Sequence, residues 1–359
     1  MSTIRVRLLI VDDSAAERRA LVSLLAGEPR CAVVGEAADG VEALEKARDL
    51  RPDVIMMAAR MPHLDGLRTT EAIMAEAPAR VLILCREDEE RGLDIPFRAL
   101  AAGALEVIRK PPAGAGEEEL RSWGRRLAET ILLMSEVPVV RRQRQRQVAT
   151  VSPSLARVGT VDVFALVAST GGPPALAQVL GALPAHLPIP LLLAQHIAKG
   201  FTPGLVRWLS AVCPLVVEVA ADGARALPGH AYLPPDGSDL ELDAGGFLRI
   251  PPCDSLHCPS GNRLLLSLAL SRGSRAGAVV LTGMGDDGAD GLLALRHAGG
   301  STFAQDESTS VVFGMPQAAY ARGAARTRLA LERVAPTILE LCAMQFPTAR
   351  PPGATPPWK

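Results

Sequence analysis

Three short segments of this chain hold side chains that could do chemistry, and each follows an apolar run. Residues 161–168 run into Ser169-Thr170-Gly171-Gly172-Pro173, and residues 188–194 run into Gln195-His196. A third run, 278–281, leads into Thr282-Gly283-Met284-Gly285-Asp286-Asp287-Gly288. Serine, histidine and aspartate are the parts of an activated nucleophile: an attacking hydroxyl, its general base, and a carboxylate that orients the base. Gly171 and Gly172 permit close backbone approach, and Pro173 suits the first turn of a helix. Ser169 would then stand beside a helix N-terminus, whose N–H groups can hold an oxyanion. Singly, each segment has a plainer meaning: a cap or phosphate cradle, a structural histidine, a turn aspartate. Their joint placement at three strand ends puts a serine hydrolase on a par with those plainer meanings. The order Ser, His, Asp matches none of the three commonest triad arrangements, so chain order does not decide the matter.

Such residues meet only if a parallel sheet gathers its strand ends on one edge. The runs are continuously apolar, as in strands covered on both faces. Residues 159–345 therefore read as a mostly parallel α/β domain, with shorter strands and turns over 211–270. Residues 1–134 read as a second α/β unit. Its strands are expected at 6–11, 31–35, 54–57, 81–84 and 105–108, and a polar helix over 117–134 closes it. Leu21, Leu24 and Leu25 mark one buried helix face. Five strands interleaved with helices describe a doubly wound, flavodoxin-like domain. Residues 135–158 form a flexible linker whose Arg141–Arg146 run, RRQRQR, has nothing to bury. A solvated hinge is the simpler meaning of that run, and a dock for an acidic partner is the alternative. The Pro-rich tail, 346–359, is expected to be disordered.

Composition narrows the class. A chain of 359 residues suggests two domains, and 48% hydrophobic with 21% charged residues is too apolar for a disordered protein. Lys and Arg (38) balance Asp and Glu (39), which argues against a protein that holds nucleic acid by bulk charge. No apolar run approaches the ~20 residues of a membrane span, and no secretory leader pattern is present. Six irregularly spaced cysteines make no disulfide framework. The expectation is a cytoplasmic protein without membrane insertion or a nucleic-acid partner.

The segments Val167-Ala168-Ser169-Thr170-Gly171-Gly172-Pro173, Gln195-His196 with Phe201-Thr202, and Leu281-Thr282-Gly283-Met284-Gly285 with Asp287-Gly288-Ala289 resemble the chemotaxis protein-glutamate methylesterase (CheB) family. Ala304-Gln305-Asp306 and Val312-Phe313-Gly314-Met315-Pro316 extend the likeness, and the first domain resembles the receiver of response regulators. The resemblance implies hydrolysis of glutamate γ-methyl esters on the cytoplasmic domain of chemoreceptors, with glutamine deamidation as a second activity. A chemotaxis histidine kinase or adaptor is an implied further partner. By motif, Ser169 is the nucleophile, His196 the base and Asp287 the orienting acid, with Asp286 beside it as a rival. Backbone N–H groups near Thr170 and Met284 are candidates for the oxyanion hole, and Gly171 and Gly172 shape the cleft.

The receiver departs from its pattern. Asp12 and Asp13 supply the acidic pair that could hold Mg²⁺, and Lys110-Pro111 supplies the basic residue. The phosphoacceptor position, three residues before Met61-Pro62, is Ala58, which cannot take a phosphoryl group. Asp53 lies about 16 Å off at ~3.3 Å per residue, so it is no substitute. Asp65 is a poor stand-in as well, and Cys85 replaces the usual hydroxyl residue of the fourth strand. In the resembling family the unphosphorylated receiver covers the esterase site. Here the esterase is expected to be constitutively open or released by a binding partner.

The second domain departs too. Pro259-Ser260-Gly261-Asn262 and Asp239 differ from the family pattern at positions expected to shape the substrate cleft. Cys253, His257 and Cys258 are set aside as a zinc set, because a structural site needs four ligands at tighter spacing. Cys31, Cys213 and Cys342 are expected to pack as small hydrophobes, and no metal or cofactor beyond the Mg²⁺ above is expected. The competing class is a non-catalytic module that binds a receptor or signalling partner. A DNA-binding regulator fails for want of a helix-turn-helix pattern.

Overall fold

The computed structural model describes residues 5–62, 64–86, 95–112, 114–137, 161–254 and 257–342. Most of the expected linker, and the Pro-rich tail, lie outside the described residues.

The N-terminal domain alternates strand and helix: β1 (Val6–Val11), α1 (Ala15–Leu25), β2 (Cys31–Ala37), α2 (Gly40–Leu50), β3 (Val54–Ala58), α3 (Gly66–Glu76), β4 (Arg80–Cys85), α4 (Ile95–Ala102), β5 (Glu106–Arg109) and α5 (Glu117–Glu136). The sheet order is β2-β1-β3-β4-β5, with all pairs parallel. Central β3 is buried along its whole length, which is why its sequence, VIMMA, lacks any polar alternation. β5 and α5 begin and end one or two residues from their expected bounds. Asp12 and Lys110 follow β1 and β5, so both stand at the carboxyl edge.

The C-terminal domain is built on a seven-stranded sheet. Its elements are β6 (Val163–Ala168), α6 (Gly172–Gly181), β7 (Leu191–Gln195), α7 (Thr202–Val212), β8 (Val216–Val219) and β9 (His230–Leu233). A small antiparallel pair, β10 (Glu241–Leu242) and β11 (Leu248–Arg249), interrupts them. Then come α8 (Gly261–Ser271), β12 (Ala276–Val280), α9 (Ala289–His297), β13 (Ser301–Gln305), α10 (Met315–Ala321), β14 (Thr327–Leu329) and α11 (Leu331–Leu341). The order is β14-β13-β12-β6-β7-β9-β8, and every pair is parallel. β6 lies between β7 and β12, so the three reactive segments leave from neighbouring strands. The order runs away from β6 in both directions, the arrangement that opens a crevice at the carboxyl edge.

One expectation needs correction. Residues 211–270 are not all short strands and turns, because 261–271 form α8. Ser260 caps it by accepting a hydrogen bond from the Arg263 N–H, and Leu264, Leu265 and Leu268 bury one face. The cap and the i, i+1, i+4 leucines were visible in the sequence but obscured by the turn-rich stretch before them.

The two domains pack together through α4. Phe97 is 3% exposed and stacks on Trp208 of α7, with centroids 6.0 Å apart and planes at 20°. It also meets Phe201 edge-on at 6.2 Å. Burying such a ring contributes about 1.5–3 kcal/mol, so this cluster is a substantial part of the junction. The Arg109 guanidinium donates to the Lys199 carbonyl across the same boundary.

Candidate active site

Ser169, His196 and the 282–288 turn follow β6, β7 and β12 directly, so the sheet register sets their positions. Backbone bonds lock the segments together. The Ser169 N–H donates to the Thr282 carbonyl at 3.0 Å, and the His196 N–H donates to the Ala168 carbonyl at 3.0 Å. The buried Gln195 amide donates to the carbonyls of both Ser169 and His196, each at 2.9 Å. Gly171 caps α6 with φ 75°, and a Cβ there would also collide with the Val311 side chain. Glycine is required on both counts. The Ser169 N–H already serves Thr282 and is not free for an oxyanion. Thr170 and Met284 line the pocket.

His196 Nε2 lies 2.8 Å from Asp287 Oδ2, and Asp287 is 3% exposed. The carboxylate holds one imidazole nitrogen, Nε2. Burial alone would raise the Asp287 pKa, but the His196 ring and the N–H groups of Asn262 and Gly261 outweigh it and hold the carboxyl below its ordinary value. Gly261 N–H donates to Oδ2 at 2.6 Å and Asn262 N–H to Oδ1 at 3.0 Å, while the Ser260 hydroxyl reaches Oδ1 at 3.3 Å. The start of α8 is thus a cradle for this carboxylate, where helix N–H groups favour negative charge. Residues 260–262, expected to shape the substrate cleft, instead hold Asp287. Asp286 faces away and pairs with Arg322 at the surface. The structure brings Asp287, and not Asp286, to His196.

His257 stacks on His196, with centroids 5.1 Å apart and planes at 13°. Among the described residues, a group of metal-type ligands consists of Asp239, Cys253 and Cys258, all within 4.8 Å of one another. Burial first, then Cys253, Asp239 and Asp236, push the Cys258 thiol up to about 12.

A pocket of ≈600 Å³ contains Ser169, Thr170, His196, His257 and Met284, and its other wall belongs to the N-terminal domain: Phe97, Leu100, Glu106, Arg126 and Thr130. The Thr170 hydroxyl donates to the Glu106 carboxylate, and the Val107 N–H donates to it at 3.2 Å. In this structure residues of both domains line the pocket, so the receiver stands beside the esterase site. Sequence patterns gave no sign of Phe97 or Glu106, because their roles arise only from the packing of one domain on the other.

At the first sheet's edge, Asp12, Asp13, Ala58, Asp65 and Lys110 line a second pocket. Lys110 Nζ pairs with Asp12 Oδ2 at 2.6 Å, and Asp12 Oδ1 accepts from the Ser14 N–H at 3.0 Å. Asp65 caps α3 by accepting from the Arg68 N–H at 2.8 Å. Ala58 supplies no side-chain oxygen, and Asp12 is held by Lys110. This donor set does not fit a resident Mg²⁺, which takes carboxylate, water and phosphate oxygens in an octahedron.

Fold and site together define a receiver-type domain packed against a parallel α/β domain whose strand ends gather Ser169, His196 and Asp287. Residues 164–338 match the family model described as CheB methylesterase, and residues 8–121 match the response regulator receiver domain. The chain is 52% identical over 349 residues to "Protein-glutamate methylesterase/protein-glutamine glutaminase 3" of Myxococcus xanthus (strain DK1622), covering 97% of each protein. It is 39% identical over 346 residues to the protein-glutamate methylesterase/protein-glutamine glutaminase of Nitrosospira multiformis, covering 94% of this chain and 97% of that one. The crystal structure of the Thermotoga maritima CheB methylesterase catalytic domain aligns with 33% identity and a TM-score of 0.49, over 51% of this chain and 99% of that one. The chain belongs to the CheB methylesterase family. Among the described residues, no helix is long and apolar enough to cross a membrane.

Proposed function

We propose that the protein hydrolyses glutamate γ-methyl esters on the cytoplasmic domain of chemoreceptors, and deamidates receptor glutamines, with Ser169 as nucleophile. The observation that carries this reading is the 2.8 Å His196–Asp287 pair beside Ser169 at three adjacent strand ends. Ser169 Oγ attacks the ester carbonyl while His196 Nδ1 takes its proton. Asp287 holds the ring and stabilises the imidazolium that forms. Amides near Thr170 and Met284 hold the oxyanion, and the proton on His196 passes to the leaving methoxide, releasing methanol. Water then attacks the acyl-enzyme by the same base, giving the free glutamate and restoring Ser169. Deamidation follows the same steps with ammonia as the leaving group.

The reading extends to the receiver: with Ala58 in the phosphoacceptor position, it acts as a cover lifted by a binding partner such as a chemotaxis kinase or adaptor. The whole reaction belongs in the cytoplasm, where receptor tails are. The test is methanol release from methylated receptor by the full chain and by Ser169→Ala. Loss of about 10⁶ in rate in the variant supports the reading, and an unchanged rate refutes it.

A further inference from the structure

We propose that Asp239, Cys253 and Cys258 form a site for a thiophilic divalent cation of the zinc class, set in the wall of the esterase pocket. A carboxylate oxygen and the two Sγ atoms already lie within 4.8 Å of one another. Zinc bonds of about 2.3 Å to sulfur and 2.0 Å to oxygen place tetrahedral donors roughly 3.5–3.8 Å apart. Modest side-chain rotations would close the set.

Backbone pairing, not sequence spacing, builds this cluster. The Asp239 N–H donates to the Pro251 carbonyl at 2.9 Å and the Cys253 N–H to the Gly237 carbonyl at 3.1 Å, which lays the two segments side by side. Cys258 Sγ lies 3.9 Å from the Ser238 carbonyl, and the Ser260 N–H donates to Asp239 Oδ1 at 2.6 Å. Asp239 is 1% exposed, and Arg263 Nη1 reaches its Oδ2 at 3.2 Å. Such outer partners orient a ligating carboxylate, and each oxygen keeps a lone pair for the ion.

Two thiolates and one carboxylate carry three negative charges against two on the cation, and the Arg263 guanidinium beside Asp239 is shared with Glu241. Binding releases the two thiol protons to solvent and changes no oxidation state. Three protein donors leave the fourth position to water, the coordination of an open, exchangeable site and not of the closed four-ligand structural kind. Cys258 also lines the pocket that holds Ser169 and His196, so the ion would stand in that wall.

The test titrates Co²⁺ into the full-length, reduced, chelator-treated chain without oxygen. One equivalent should give the near-ultraviolet thiolate-to-cobalt band and the visible bands of a tetrahedral site, and Zn²⁺ should displace it. Cys253→Ser/Cys258→Ser should abolish the band, and Asp239→Asn should weaken binding about tenfold or more. In the wild-type chain, where folding is not in question, one equivalent of Zn²⁺ should protect Cys253 and Cys258 from iodoacetamide, read by peptide mass. Absence of the cobalt band, its persistence in the double variant, or undiminished alkylation of both cysteines would overturn the proposal.

Discussion

Glu106, on the last strand of the receiver, accepts a hydrogen bond from Thr170, the residue after Ser169. Burial at this junction raises the Glu106 pKa from 4.5 to about 7, against the opposing pull of Thr170 and the Val107 N–H. The packed arrangement therefore holds the Glu106 proton more tightly than a separated one would. Packing is favoured while the group is protonated and weakens as pH rises through about 7.

Methanol release by the full chain should accordingly climb between about pH 4.5 and 7 more steeply than release by Glu106→Gln. Both proteins share His196, so the ratio of their rates isolates Glu106. A constant ratio would rule out the linkage.

The aromatic junction gives a second expectation. Phe97→Ala removes the ring stacked on Trp208, a loss of about 3–5 kcal/mol of packing. Loosening the cover should raise esterase turnover, roughly tenfold if about 1.4 kcal/mol of that loss falls on domain closure. A wedge placed from the other side should act likewise: a Cβ on Gly204 would stand 2.9 Å from the Phe97 ring, so Gly204→Ala pushes the same contact apart. Unaltered turnover in both variants would mean that this contact does not gate the site.

Gly261→Ala addresses the cradle. The added methyl would meet Val167 and lie 3.1 Å from Asp287 Oδ2. Displacing that carboxylate should lower kcat by about 10²-fold with little change in KM. Asp287→Asn should cost about 10⁴, and Asp286→Asn should leave kcat within about twofold, since Asp286 pairs with Arg322 instead.

The receiver pocket predicts a gain of chemistry. Incubated with a small acyl phosphate, the native chain should take up no phosphoryl group. Ala58→Asp places a carboxylate beside Asp12, Asp13 and Lys110 and should become labelled when Mg²⁺ is supplied. Labelling of the native chain at any acidic residue of that pocket would contradict the reading of a phosphorylation-independent receiver.

The site was legible where it depends on strand ends. Ser169, His196 and Asp287 each follow a continuous apolar run, and parallel pairing of β7, β6 and β12 brings those runs together. The choice between Asp286 and Asp287 was not legible from spacing, since it turns on which carboxylate faces the N-terminus of α8. By sequence, Ser260, Gly261 and Asn262 read as cleft residues for the same reason: nothing local says that their donors point at a carboxylate 25 to 27 residues on. Asp239 joins Cys253 only through pairing of 237–239 with 251–253, so a search by ligand spacing passes over it. Glu106 and Phe97 look like ordinary edge-strand and helix residues until a second domain is laid against them.

Lys110 is joined to Asp12 at 2.6 Å in a pocket where Ala58 offers nothing to compete for it. In receivers that carry a phosphoryl group, the duration of a signal is bounded by the lifetime of an acyl phosphate bond. If the proposed partner-released receiver holds, this chain's on-time would be set by how long a partner stays bound, and its amplitude by that partner's abundance. A cell would then tune the response through dissociation rates and expression levels, with no phosphatase step.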